Sequence, residues 1–408
     1  MGTRVADLAT DPVRSQYERW IYPEPIDDLS KSSGVDFSDP DFLGRAYWPN
    51  RRPRQDLRIL VAGCGPNAAA RQAYRHPAAS VVGIDISEAS LDQARRLKAQ
   101  HGLGNLTLHR CRIEDVRELG QSFDLIDSSG VLHHLPDPVA GLRALADVLA
   151  PDGVVYIMLY AKYGRAGIYM AQELFRLLRL GQSPEDVATV KGALSAFPAD
   201  HPLRRCLSRE NDLAFDAGVV DTFLHRMDRP FTVADCYALV ESAGLVLQGW
   251  LNRAAYDPAS RISQPALRAL VERLPERDAV QAVELVDGRI GTHTFYACRS
   301  DRAPAEYRID FAGKGFMDMI PIPRPGWKRL QAFNATLLQP GFVGTAMEVR
   351  DRRAAVVQRI DGRRTVRECF LDAGSTLESG EFITSFCRQL FRELWTSGYC
   401  DLVHAAAA

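Results

Sequence analysis

Short apolar stretches alternate with longer amphipathic segments between residues 58 and 161. The short stretches have the length of buried strands, and we predict strands at 58–63, 80–85, 105–110, 123–128 and 154–161. The segments between them repeat apolar residues at helical spacing. The clearest helix begins after Ser87, a good N-cap residue, and ends at Gly102. This alternation predicts a parallel sheet that is covered by helices on both faces.

The alternation breaks at residues 162–230 and then resumes. This first insertion contains helical and turn-like stretches. Thr232 then predicts the N-cap of a helix that ends at Gly244, and a strand follows at 245–253. A second insertion, 262–285, precedes a last strand at 292–300, whose direction the pattern leaves open. We therefore predict an α/β fold with a Rossmann-like, seven-stranded sheet and helical insertions.

The composition changes near residue 301, where a smaller C-terminal domain is predicted to begin. A proline-rich stretch at 319–327 indicates a linker. Three helices are predicted here. The first covers 353–360, the second begins at a capping box formed by Thr365 and Glu368, and the third runs through 382–394. Gly398 ends the third helix, and 399–403 would form a short strand. This order predicts a winged-helix-like domain. The chain thus divides into an N-terminal arm (1–54), a main domain (55–300) and a C-terminal domain (301–408).

Charge and cysteine content narrow the class of protein. Fifty Lys plus Arg face 51 Asp plus Glu, and this balance argues against nucleic acid or an acidic membrane surface as the main partner. The longest apolar run, 154–161, is far shorter than the ~20 residues that span a bilayer. The N-terminus lacks an apolar signal-peptide core, so we expect a cytoplasmic protein. The eight cysteines are widely spaced, which predicts reduced thiols, and we expect no metal site.

A glycine-rich turn follows the first predicted strand. Gly63-Cys64-Gly65-Pro66-Asn67 lies where that strand meets a helix, and small residues there allow a nucleotide-like ligand to approach the backbone. Asp85 ends the second strand and could accept hydrogen bonds from ribose hydroxyls. Residues 63–68, GCGPNA, also satisfy the loose GxGxxA pattern of dinucleotide-binding proteins. The two features predict a nucleoside site and leave the cofactor open.

Five motifs in order resemble the class I S-adenosylmethionine-dependent methyltransferases. They are ILVAGCGPN, VVGIDIS, CRIEDV, FDLIDSSGVLHHLPDP and LAPDGVVYI. The resemblance covers about residues 55–160 strongly and extends to about 300. It implies S-adenosylmethionine as the cofactor and S-adenosylhomocysteine as the product.

The resemblance also implies roles for individual residues. The turn would face the methionine part, Asp85 the ribose, and Asp115, or its neighbour Glu114, the adenine amino group. The implied cofactor-binding residues are Gly63, Cys64, Gly65, Asn67, Asp85, Ile86, Glu114, Asp115 and Ser129. Asn67 stands where many family members have a third glycine, and asparagine tolerates the left-handed conformation.

Candidate acceptor-site residues come from three places. His133 and His134 could act as a general base, although VLHHL is common in this family whatever the substrate. Aromatic residues of the arm, Tyr17 and Tyr22, either cover the cofactor or only pack the arm against the body. The first insertion forms either a lid or a dimerisation or scaffold helix, and a homodimer would follow from the latter. As a lid it would use Tyr160, Tyr163, Arg165 and Tyr169.

The C-terminal stretch at 357–366 contains Asp361-Gly362 and Arg364-Thr365-Val366. It resembles the winged-helix peptide-binding domain of pyrroloquinoline quinone biosynthesis, which implies that a peptide could be recruited as an added strand. The leading interpretation is methyl transfer to an O, N, S or C nucleophile of a small metabolite or natural product. The alternatives are a peptide or protein methyltransferase, an NAD(P)-dependent oxidoreductase, and a non-catalytic regulatory protein that keeps the fold.

Overall fold

A computed structural model gives the fold, and it describes residues 11–31, 38–207, 211–324, 351–373 and 379–407. The strands are β1 (Arg58–Ala62), β2 (Ser80–Asp85), β3 (Leu106–Arg110), β4 (Phe123–Ser129), β5 (Leu149–Tyr160), β6 (Leu245–Trp250), β7 (Thr292–Arg299), β8 (Ile320–Pro323) and β9 (Cys400–Val403). The first helices are α1 (Pro12–Arg19), α2 (Pro40–Tyr47), α3 (Ala68–Arg75), α4 (Glu88–His101), α5 (Pro138–Asp147), α6 (Ala166–Leu177), α7 (Pro184–Leu194) and α8 (Pro202–Leu207). They are followed by α9 (Asp216–Phe223), α10 (Val233–Ser242), α11 (Pro258–Arg261), α12 (Pro265–Val271), α13 (Glu276–Asp287), α14 (Asp351–Val357), α15 (Val366–Leu371) and α16 (Gly380–Thr396).

Seven strands form one sheet in the order β3-β2-β1-β4-β5-β7-β6. The pairs β1–β2, β1–β4, β2–β3 and β4–β5 are parallel, whereas β5 and β7 are antiparallel. The predicted seven-stranded α/β sheet is confirmed, and the open direction of the last strand is resolved as antiparallel. Ile59, Leu60 and Val61 are all buried, as expected for a central strand that is covered on both faces.

Strand β5 begins earlier than its apolar run predicts. Phe123 pairs with Leu149, whereas Leu125 pairs with Val154, so the register shifts in this part of the ladder. The exposed residues Pro151 and Asp152 lie in this irregular part of the strand. The hydrophobic pattern therefore located only the regular half of the strand.

Local cap chemistry correctly predicted several helix ends. The Ser87 hydroxyl accepts a hydrogen bond from the Ser90 amide at the start of α4, and Gly102 follows that helix with φ of 62°. Thr232 and Asp235 form a capping box on α10, and Gly244 has φ of 73°. Because β1, β2, β3 and β4 run parallel, their carboxyl ends meet at one edge of the sheet.

The chain groups into two compact units. The first comprises Met1–Val35, Gln55–Leu247 and Gly288–Ser300, and the second comprises Asp36–Arg54, Gln248–Asp287 and Asp301–Ala408. Within the first unit, helices of the 162–230 insertion share an apolar core that includes Ile168, Phe175 and Phe223. The predicted division into an arm, a main domain and a C-terminal domain stays a prediction.

The second unit has its own core, in which Phe316, Phe370 and Phe391 are buried. The predicted capping box of Thr365 and Glu368 opens α15, and Gly398 follows α16 with φ of 73°. These helices and β9 appear in the predicted order. The comparison with a winged-helix domain stays a prediction.

The linker predicted at 319–327 is wrong for residues 320–323, which form β8. This strand pairs antiparallel with β9, and Pro321 and Pro323 stand opposite Leu402 and Cys400. Alternate residues of an antiparallel pair turn their N–H groups away from the partner. Two prolines at alternate positions of a two-stranded sheet therefore need not interrupt the ladder. Residues 325–327 lie outside the described residues.

The eight cysteines are all free, and seven of them are buried. Among the described helices, none combines the length and the apolar character that crossing a bilayer requires.

Candidate functional site

The glycine-rich turn after β1 has the backbone that its sequence predicts. Gly63 and Gly65 have φ of 75° and 54°, which side chains rarely adopt. The amides of Gly63 and Cys64 both donate to the Ile84 carbonyl at 2.9 Å, so the turn is fastened to β2. A Cβ atom on Gly63 would lie 2.5 Å from Cγ2 of Val131. Only glycine therefore allows the turn to pack against the segment that follows β4.

Asp85 lies at the end of β2, beside this turn. Its Oδ2 accepts a hydrogen bond from the Gly65 amide at 2.8 Å, and its Oδ1 accepts one from the Ser87 amide at 2.9 Å. Burial raises the pKa of Asp85, although these amides oppose the shift. A carboxylate offers about four lone-pair positions, so Asp85 can still accept from two hydroxyl donors. The residue thus fits a ribose.

Asn67 does not use the left-handed conformation that asparagine tolerates, since its φ is −129°. Its buried side chain instead binds the N-terminal arm. Nδ2 donates to the Glu24 carbonyl at 2.8 Å, and Oδ1 accepts from the Ile26 amide at 3.0 Å. The departure from glycine therefore has a structural use, since a glycine could make neither hydrogen bond.

Residues 11–31 of the arm lie against the edge of the sheet where the carboxyl ends of the parallel strands meet. Glu18 accepts hydrogen bonds from the amides of Glu88 and Ala89 at 2.9 and 3.1 Å, at the N-terminus of α4. Burial raises the pKa of Glu18, but these amides outweigh it and leave that pKa below its usual value. The carbonyl oxygen of Tyr22 would lie 3.4 Å from a Cβ on Gly65. The arm therefore covers the glycine-rich turn.

A group of polar side chains lies beyond β4 and β5. We call it the polar cluster, and it consists of Tyr17, His133, His134, Tyr160, Asp221 and His225. The Tyr17 hydroxyl donates to Oδ1 of Asp221 at 2.9 Å, and the Tyr160 hydroxyl donates to Oδ2 at 3.3 Å. Burial raises the pKa of Asp221. One carboxyl group thus joins the arm, β5 and α9.

The two adjacent histidines have different surroundings. Nδ1 of His134 lies 2.7 Å from the Met227 carbonyl, so Nδ1 carries the proton and Nε2 of the neutral ring has the lone pair. Its ring stacks on His225 with centroids 3.7 Å apart. His133 is fully buried, and neither ring nitrogen has a hydrogen-bond partner among the described residues. Burial holds the pKa of His133 well below its usual value, so its imidazole is neutral.

Similarity to known proteins agrees with this geometry. Residues 53–196 match the family model of a methyltransferase domain. The chain is 31% identical over 308 residues to the uncharacterised protein syc1184_c of Synechococcus sp., covering 72% of this chain and 73% of that protein. The chain belongs to the class I S-adenosylmethionine-dependent methyltransferases. This assignment excludes the oxidoreductase alternative.

Two further relatives of this methyltransferase place limits on the comparison. It is 34% identical over 114 residues to a ubiquinone biosynthesis O-methyltransferase of Neisseria meningitidis serogroup C, which covers 28% of this chain and 48% of that enzyme. The chain therefore spans about half the length of that relative. PKMT2 of Rickettsia typhi, solved in complex with AdoHcy, has a TM-score of 0.63 at 14% identity, covering 90% of this chain and 76% of that one. The latter similarity shows the fold.

The remaining predicted cofactor residues of the methyltransferase lie along the same sheet edge. Glu114 and Asp115 are both half-buried in a 3-10 helix, and Glu114 pairs with Arg112 at 3.7 Å. Cys64 is buried, Ile86 is half-buried and Ser129 is exposed. This arrangement fits an extended nucleoside, but it does not choose between Glu114 and Asp115 for the adenine.

The predicted acceptor residues separate into two groups. Tyr17 and Tyr160 join the two histidines in the polar cluster, and Arg165 lies 3.8 Å above the Tyr160 ring. Tyr163, in contrast, is exposed, and Tyr22 stacks on Phe215 with centroids 6.3 Å apart. Tyr169 is half-buried. Whether the insertion serves as a lid or as a dimerisation helix stays open.

Asp221 and His225 were missed by the sequence analysis. Both belong to the 162–230 insertion, where no motif surrounds them. The separation between Tyr17 and Asp221 is 204 positions, and no local pattern indicates a contact over that distance. The only available signal was a single acidic residue within the apolar stretch GVVDTF.

Proposed function

We propose that this enzyme methylates a small metabolite or natural product that binds at the polar cluster. The observation that carries the proposal is the buried imidazole of His133, whose ring nitrogens have no hydrogen-bond partner in the described part of the chain. A buried polar group without a hydrogen bond costs ~1–3 kcal/mol and calls for a ligand. Val131 packs against Gly63 of the cofactor turn, only two positions before His133. The polar cluster therefore adjoins the proposed cofactor site.

S-adenosylmethionine would supply, when bound, a sulfonium methyl group whose carbon a nucleophile can attack, with S-adenosylhomocysteine as the leaving group. The chain's own contribution is positioning and the exclusion of water. Asp85 would hold the ribose hydroxyls, and the positive-φ glycines would admit the cofactor close to the backbone. The arm would cover both. Aromatic faces such as that of Tyr17 favour a neighbouring sulfonium.

We propose a hydroxyl group as the acceptor. The Neisseria relative is named as an O-methyltransferase, and a hydroxyl gains most from a base, which contributes about 10²–10⁴-fold. Of the two predicted bases, His134 is the better placed. Its Nδ1–H is committed to Met227, so that Nε2 can accept the proton. His133 would then contact the acceptor.

A peptide or protein acceptor is the second candidate. Its support is the turn at Asp361, whose Oδ1 accepts hydrogen bonds from the amides of Arg363 and Arg364 at 2.9 and 3.0 Å. This turn lies between α14 and α15, in the stretch that resembles a peptide-binding domain. In this version the second unit recruits the polypeptide and the first unit methylates it.

Calorimetry tests the cofactor part of the proposal. The unmutated protein should bind S-adenosylhomocysteine. Asp85→Ala should weaken binding by about 10–100-fold, because two hydrogen bonds to a charged group contribute ~1.5–3 kcal/mol each, partly offset by water. Asp92→Ala is the matched control, since this exposed acid lies on α4 away from the sheet edge. Absence of binding to the unmutated protein would overturn the proposal.

A transfer assay tests the acceptor. The protein is incubated with methyl-labelled S-adenosylmethionine and cell extract, and the products are divided into small-molecule and polypeptide fractions. Label in the small-molecule fraction supports the first candidate, and label in the polypeptide fraction supports the second. Cofactor binding without transfer to either fraction would favour a non-catalytic protein.

A further inference from the structure

Three side chains on one side of the polar cluster present lone pairs that the described residues leave unused. His133 is fully buried, and within the described ranges neither of its ring nitrogens has a hydrogen-bond partner. Oδ1 of Asp228 is buried and also lacks a hydrogen-bond partner among those residues. His134 has its Nδ1–H on the Met227 carbonyl, which leaves the lone pair of Nε2. Each of these groups can donate a lone pair to a cation.

The three groups also lie close together. His133, His134 and Asp228 each offer one ligand atom, and these atoms lie within 4.8 Å of one another. We propose that they bind one divalent transition-metal ion. Two imidazole nitrogens and one carboxylate oxygen are a donor set that suits zinc, iron, cobalt or nickel. A site with three protein ligands leaves positions for water or substrate.

The neighbours of these ligands match those of a metal site. A ligating histidine normally donates its other N–H to a carbonyl or carboxylate, as His134 does to Met227. Ligating carboxylates are usually hydrogen-bonded at their second oxygen. Oδ2 of Asp228 accepts a hydrogen bond from the buried amide of Gln172 at 2.9 Å. Both contacts would fix the orientation of a ligand before the ion binds.

A second triad of His134, Asp221 and His225 has the same spacing but its atoms are already engaged. The Met227 amide donates to Nδ1 of His225 at 3.0 Å, so in the neutral ring Nε2 carries the proton and faces the Tyr17 hydroxyl at 3.3 Å. Both oxygens of Asp221 accept from tyrosines. Metal binding there would have to displace the Nε2 proton of His225, or its Met227 contact at Nδ1, and would compete with the two tyrosine hydroxyls at Asp221. The first triad is therefore the proposed site, contrary to our expectation of none.

A metal at this site would change how the acceptor is activated, a consequence that rests on the proposed function. As a Lewis acid it would lower the pKa of an acceptor hydroxyl. The hydroxyl proton would then pass to solvent, and neither histidine would be needed as a free base.

The experiment is a metal titration of the 408-residue chain after chelator treatment, monitored by calorimetry for Zn²⁺ and by visible absorption for Co²⁺. We expect one ion per chain. His133→Gln and Asp228→Asn should each lower the affinity at least tenfold. Gln172→Ala, which removes the amide that donates to Asp228 and to the Thr222 carbonyl, should lower the affinity by up to about 10–100-fold. Asp221→Asn is the matched control and should retain the site. Thermal unfolding of each metal-free variant checks that it is folded.

Several results would overturn the proposal. They are the absence of stoichiometric binding by the unmutated chain, full affinity in both His133→Gln and Asp228→Asn, and a selective loss in Asp221→Asn, which would assign the ion to the second triad. S-adenosylhomocysteine binding is measured in parallel on the metal-free protein. Its persistence without metal binding would refute the metal site and leave the proposed function intact.

Discussion

The contact between Asn67 and the arm allows a quantitative prediction. Asn67→Ala removes two buried hydrogen bonds, to the Glu24 carbonyl at 2.8 Å and from the Ile26 amide at 3.0 Å. Each contributes ~0.5–1.5 kcal/mol net, so the arm should lose ~1–3 kcal/mol of docking free energy. Because each 1.4 kcal/mol is a factor of ten, the arm should open about 5–150 times more often. The sheet itself should be unaffected.

Amide hydrogen exchange measures this local opening directly. Peptides from residues 11–31 should exchange faster by that factor, while β1 and β4 should keep their protection. Arg96→Ala is the matched control: Arg96 contacts the same part of the arm, donating to the Ile26 carbonyl at 3.2 Å, but from an exposed position. It should change exchange by less than about fivefold. Unchanged exchange of the arm in Asn67→Ala would refute the reasoning.

Three further predictions test other parts of the molecule. Both Gly63 and Gly102 have positive φ, but only a Cβ on Gly63 clashes, at 2.5 Å from Val131. In chemical denaturation Gly63→Ala should therefore lose ~1–3 kcal/mol more than Gly102→Ala, and equal losses would contradict the clash. The folded-state pKa of Glu18 lies below its usual value of 4.5, so its contribution is present above that pH and lost as the pH falls. Glu18→Gln should accordingly be less stable than the unmutated protein at neutral pH, with a gap that closes in acid; a constant gap would exclude the carboxylate's role. Asp401 is buried against two arginines, at 2.7 and 3.4 Å, and Asp401→Asn should destabilise the second unit by ~3–5 kcal/mol; unchanged melting would refute this.

The parts of the fold that were predictable depend on local chemistry. The strands around the cofactor turn are continuous apolar runs, and Ser87 and Thr232 cap their helices through atoms only three residues away. The local sequence pattern gave a wrong prediction where pairing with another strand determines the structure. Residues 320–323 form a strand only because β9 lies beside them, and their prolines suggest the opposite. The early start of β5 likewise depends on its pairing with β4.

The candidate site divides in the same way. The predicted cofactor residues sit at the ends of consecutive strands, so chain order brings Gly63, Gly65 and Asp85 together. The role of Asn67 was not predictable, because its partners are backbone atoms of the arm, 41 and 43 positions away. A residue type that looked like a conformational substitute for glycine turned out to bind another segment.

The polar cluster depends on contacts between residues that are still farther apart in the sequence, and these contacts link the proposed acceptor site to the arm. The oxygens of Asp221 are held by Tyr17 and Tyr160, which are 204 and 61 positions away. Tyr17 belongs to the same helix as Glu18, which binds the start of α4. The arm that covers the glycine-rich turn therefore also brings Tyr17 to Asp221. We predict that covering a bound cofactor and completing the polar cluster are coupled, so a variant that opens the arm should disturb both.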